Sequence, residues 1–97
     1  MKIRITRTIP AGPLVESLSM REALVDATFE VDTEAVAALR ESYPDLPESS
    51  PQTYEATLGT VLAALEELGR IEAAVDWRVV QPIIIRIPHE CAEVIPD

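Results

Sequence analysis

The sequence predicts an α+β domain. A small antiparallel or mixed sheet, with strands at about 2–9, 27–31 and 77–87, packs against two or three helices at about 20–26, 33–42 and 51–68. Three observations carry this. Ile3, Ile5 and Ile9 alternate with Lys2, Arg4, Thr6 and Thr8, the period-2 signature of a half-buried strand. Tyr54, Leu58, Val61, Leu62, Leu65 and Leu68 recur at three and four residues, as one face of a helix does. Val79 to Ile87 is dominated by Val and Ile, as a buried strand is.

The elements follow in order. Arg7 interrupts the apolar face of the first strand, and Pro10-Ala11-Gly12-Pro13 ends it, since two prolines and a glycine do not continue a ladder. Ser19-Met20-Arg21-Glu22 matches a capping box for the helix at 20–26. Ala27, Phe29 and Val31 then alternate with Thr28, Glu30 and Asp32 as a short strand. Asp32 or Thr33 caps the next helix, whose stripe is Ala35, Val36 and Leu39, with Tyr43 at its end; Pro44 and Pro47 stop it. Residues 43–51 form a loop stiffened by three prolines. Ser50-Pro51 is a favourable helix start, and Gly69 suits the left-handed position after a helix end. Residues 70–76 fit both a strand and a further helical turn. In the last strand Ile83, Ile84 and Ile85 put apolar groups on both faces, and Pro82 marks an edge or a bulge. The chain reads as a single domain, 1–97, with a loosely held tail at 89–97.

Composition narrows the function. Seventeen acidic residues against eight basic give a net charge of −9. That argues against a general grip on nucleic acid, which depends on Lys and Arg at phosphates. The longest uncharged stretch, Ala56 to Leu65, is half the roughly 20 residues a membrane span needs. The basic N-terminus lacks the apolar run of a signal peptide. With one cysteine and no internal disulfide, the expected compartment is the cytoplasm.

The charge is unevenly placed. Residues 1–9 carry +3, residues 10–77 carry −11 and residues 78–97 carry −1. If the first and last strands pair, Lys2, Arg4 and Arg86 share a mildly basic sheet face, apart from an acidic helical layer. Around the proline loop Glu41, Asp45, Glu48 and Glu55 cluster with Tyr43 and Tyr54. These six are the candidate partner-binding residues, because acidic groups steer a basic partner and tyrosine supplies contact area. A solvated helix surface explains the same charges without a partner.

Signals for catalysis are weak. His89 and Cys91 supply half of a zinc site at most. A Cys-His nucleophile needs a third orienting group and a cleft. A serine hydrolase would need a histidine outside the tail. With seventeen carboxylates, pairs for acid–base work carry no information, and Gly12, Gly59 and Gly69 are too isolated for a phosphate loop. Trp77 reads as core. No cofactor or metal is expected.

The segment Thr60 to Ile71, followed by strand-like residues, resembles the third helix and wing of a winged-helix domain over about a quarter of the chain. DNA-binding members place Lys, Arg, Asn or Gln on that helix. Here Glu55, Glu66 and Glu67 stand there, so the resemblance implies protein rather than DNA contact; Leu-Glu-Glu-Leu-Gly is equally a generic helix end. The expected function is a small acidic, non-enzymatic binding protein that occupies a basic surface of another macromolecule, of the inhibitor, immunity or phage anti-defence type. The alternative is a structural or assembly subunit of a virion or larger complex, with a homodimer through strand 79–87.

Overall fold

The computed structural model describes residues 1–10, 18–72 and 82–96. Among them three helices and two small antiparallel sheets make the expected α+β arrangement. The alternation at the N-terminus produces β1 (Lys2–Ile5), with Ile3 and Ile5 wholly buried. The strand stops earlier than residue 9. The N–H groups of Thr6 and Arg7 both donate to the Cys91 carbonyl (2.8 and 3.3 Å), a two-against-one contact that ends the regular ladder as a bulge does. Ile9 is still buried beyond it.

Helix α1 is Leu18–Leu24 rather than 20–26. Ser19 therefore lies inside the helix and is not its cap. The C-terminal limit is set by Asp26, which takes φ = 63°, a left-handed conformation that Asp tolerates better than most residues. Its N–H donates to the Ile5 carbonyl (2.8 Å), and β2 (Thr28–Glu30) follows, with Phe29 turned inward. Helix α2 spans Thr33–Ser42, as the sequence predicts.

The largest correction concerns residues 51–68. Thr53–Thr57 is strand β3, and helix α3 is only Leu58–Glu67. Thr53, Tyr54 and Thr57 favour extended backbone, and β3 finds an antiparallel partner in β4 (Ile84–Pro88), with Tyr54 opposite Ile87, Glu55 opposite Arg86 and Ala56 opposite Ile85. Thr57 then caps α3, its hydroxyl accepting from the Thr60 N–H at 3.2 Å. The far end closes as the sequence predicts. Gly69 has φ = 72°, its N–H donates to the Glu66 carbonyl, and the Arg70 N–H donates to Leu65, which is the Schellman pattern.

Within the described residues, the strand expected at 77–87 is β4, Ile84–Pro88. Pro82 and Ile83 precede β4, and Pro88 is its final residue. Ile85 and Ile87 are buried while Ile83 and Ile84 are half-covered. The expectations for residues 11–13, for 73–76, for Trp77 and for the start of the strand at 77–81 lie outside the described residues.

The tail expectation is overturned for 89–95. His89–Cys91 forms a 3₁₀ turn and Ala92–Ile95 is strand β5. β5 pairs with β1, placing Val94 opposite Ile3 and Ala92 opposite Ile5, and the sheet order is β2-β1-β5. The chain thus passes from one sheet (β3-β4) to the other through Cys91. This corrects the proposed basic face as well. β1 and β4 are in different sheets. Arg4 meets Asp26 (2.7 Å) and Glu93 (3.8 Å), and Arg86 faces Glu55. The winged-helix resemblance fails at the same place, because a strand, β3, rather than a second helix leads directly into α3.

One apolar cluster binds these elements. Ile3, Ile5, Leu24, Val61, Leu65 and Ile87 are its largest fully buried members, with Phe29 beside them. Val36, the buried residue of α2, is outside it. Helix α2 packs instead on the opposite face of β3.

Candidate functional site

Helix α2 ends where Tyr43 donates its N–H to the Leu39 carbonyl (2.9 Å) and Pro44 forbids continuation. The chain then crosses an irregular loop to β3. Glu41, Tyr43, Asp45 and Glu48 are all exposed there, Tyr43 at 48%. Tyr43 is thus a surface residue and no part of the buried stripe of α2.

The other two predicted residues lie beneath this surface. Tyr54 is half-buried, its ring packed on the core cluster on one side and tilted at 45° against His89, with ring centroids 4.2 Å apart. Glu55 is only 14% exposed. Its Oε2 accepts from Arg40 Nη2 at 2.6 Å and lies 3.6 Å from Arg86 Nε. Arg40 also donates through Nη1 to the Pro47 carbonyl in the loop. Glu55 is therefore committed to internal partners, while Glu41, Tyr43, Asp45 and Glu48 face outward.

Arg40 and Arg86 were absent from the sequence-based site. Their signal was Glu55 alternating with inward-facing Tyr54 and Ala56 and opposing Arg86, a pattern hidden by reading 51–68 as helix. The same layer holds Asp32. It is the N-cap residue of α2 by position, but its carboxylate makes no capping bond there. Asp32 Oδ2 accepts instead from Thr60 Oγ1 (2.6 Å) and Thr57 Oγ1 (3.3 Å), tying α2 to the start of α3. Asp32 Oδ1, Arg40 Nε and Arg86 Nη2 are buried without a hydrogen-bond partner, so this polar layer is only partly satisfied.

Two open grooves meet at Thr53, and Tyr54 lines the first of them. One, about 200 Å³, runs between α2 and β3 past Val36 and Thr53; the other, about 430 Å³, runs past Ser50, Gln52, His89 and Glu90. Ser50 and His89 both line the second groove; the Ser50 hydroxyl accepts from the Gln52 N–H at 3.3 Å. The His89–Cys91 pair is split: His89 stacks on Tyr54, while the buried Cys91 directs Sγ toward the Thr8 carbonyl at 3.8 Å. Burial, reinforced by Glu90 and partly offset by Arg7, pushes the Cys91 thiol pKa up, which opposes thiolate formation. Among the described residues no group of three or more His, Cys, Asp or Glu side chains is placed to hold a metal ion. No helix among them is long and apolar enough to cross a membrane. No family model, curated protein or solved structure matches the chain.

Proposed function

We propose that the chain is a small acidic binding protein that docks the end of α2 and the following loop onto a basic surface of another macromolecule, acting by occupancy rather than by catalysis. An inhibitor, an immunity protein or a phage anti-defence protein works in this way. The observation that carries the reading is the direction of Arg40. Residues 32–55 hold six carboxylates and this one arginine. Arg40 is turned inward onto Glu55 and the Pro47 carbonyl. The outward carboxylates Glu34, Glu41, Asp45 and Glu48 are thereby left without a cation from their own segment, beside the exposed ring of Tyr43. Such a surface attracts a basic partner over a distance and offers an aromatic contact at close range.

The test compares the wild-type chain with the double variant Asp45→Lys/Glu48→Lys as bait in extract from the native host, with mass spectrometry of the retained proteins. The wild type is expected to hold a basic protein at about 50 mM salt and release it near 500 mM, as screening shortens the range of attraction. The double variant is expected to retain none, with stability changed by no more than about 0.5 kcal/mol, the usual scale for surface substitutions. Equal retention by both proteins, or capture indifferent to salt, overturns the reading.

A further inference from the structure

We infer that Glu55 is a positioning residue: with Arg40 and Arg86 it forms a latch that holds the proline loop in the shape presented to a partner. The inference deepens the proposed function and rests on it for the identity of the surface. The loop has few means of holding itself. Pro44, Pro47 and Pro51 each lack an N–H. Its ends are fixed locally: the Leu46 N–H donates to the Tyr43 carbonyl (3.2 Å), the Thr53 N–H to the Ser50 carbonyl (3.3 Å), and the His89 N–H of the neighbouring turn to the Gln52 carbonyl (3.1 Å). Between Leu46 and Ser50 the tether is the Pro47 carbonyl, taken by Arg40 Nη1.

Arg40 thus joins three parts of the chain. Its Cα is in the last turn of α2, one nitrogen reaches the middle of the loop, and another reaches β3. Glu55 fixes the guanidinium in place through a charge-assisted bond at 2.6 Å between side chains that are only 14% and 22% exposed. Arg86, opposite Glu55 in the sheet register, braces the same carboxylate oxygen from β4. The loop geometry is therefore set from beneath by residues that are paired with one another. A loop already ordered loses less conformational freedom on binding, which appears as affinity.

Two variants test this. Glu55→Gln removes the charge that fixes Arg40. Arg40→Lys keeps the net charge of the chain but replaces a planar fork with a single ammonium, which does not span both Pro47 and Glu55. The first readout is ¹⁵N relaxation of the free protein at Asp45, Leu46, Glu48, Ser49 and Ser50. Order parameters near about 0.85 are expected in the wild type and below about 0.6 in both variants. Unchanged order in either folded variant overturns the latch. The second readout is retention of the basic partner, expected to fall about tenfold in both variants although Glu41, Asp45 and Glu48 are intact. A loosened loop with undiminished retention overturns the positioning role. If the wild type retains no basic partner, the reading of the surface fails, while the relaxation measurement still decides whether the latch orders the loop.

Discussion

On one face of the β3–β4 sheet, Ala56, Ile85 and Ile87 disappear into the apolar cluster with Val61 and Leu65. On the other, Glu55 and Arg86 meet Arg40 of α2, and Asp32 meets Thr57 and Thr60. The first face draws its stability from area: each fully buried Leu or Ile contributes on the order of 1.5–3 kcal/mol with no requirement on direction. The second depends on geometry, since every charged group taken from water must find a partner there. Three of its buried polar atoms have none. The difference separates two tasks. The dry face holds the two sheets and α3 together; the polar face sets the position of α2 and of the loop that follows it.

The largest expected effect breaks the dry side. Leu65 is wholly buried at the centre of the cluster. Leu65→Ala should cost about 2–5 kcal/mol, from the lost transfer energy and the cavity left behind. Urea unfolding followed by circular dichroism measures it; a cost below about 1 kcal/mol would mean that the stability does not reside there.

A smaller effect tests the polar side. Asp32→Ala removes the acceptor shared by Thr57 and Thr60. The hydroxyls keep each other at 3.0 Å, and Thr57 keeps its cap on the Thr60 N–H. The substitution also removes the unpartnered Oδ1. Loss of charge-assisted bonds offset by that relief gives about 1–2 kcal/mol. A cost equal to that of Leu65→Ala would erase the distinction between the two faces.

The two faces also differ in how far the sequence reveals them. Alternation at Lys2–Ile5 and Thr28–Glu30 is local, and so is the stop of α2 at Pro44; these were legible. The exposed arc of Glu41, Tyr43, Asp45 and Glu48 was legible too, because prolines and acidic residues mark a surface loop. β3 was not. Tyr54 and Leu58 have helical spacing, and what overrides it is pairing with Ile84–Pro88, some thirty residues away. Reading Tyr54 into a helix stripe put Glu55 on the surface and hid Arg40 and Arg86. β5 was missed for a related reason. Ala92–Ile95 carries almost no alternation of its own, and its register is imposed by β1.

The smallest effect concerns that C-terminal passage between the sheets. Cys91 is shielded there: its thiol is buried, and its carbonyl takes the N–H groups of Thr6 and Arg7. Folding raises the thiol pKa, chiefly by burial. A group whose pKa rises on folding contributes stability that is whole below its unfolded value, about 8.5 for a thiol, and that is lost as pH climbs through the folded value. At pH 7 the thiol therefore adds no pH dependence, and the loss begins only in the alkaline range. Wild-type stability should decline as pH rises above about 8.5, more steeply than that of Cys91→Ala. The more direct reading is labelling by iodoacetamide at pH 8, expected to be at least about tenfold slower in the native protein than in urea, because reagent must wait for an opening of the β1–β5 pair. Equal rates would return residues 89–95 to the free tail that their sequence suggests, and would leave β1 with β2 alone.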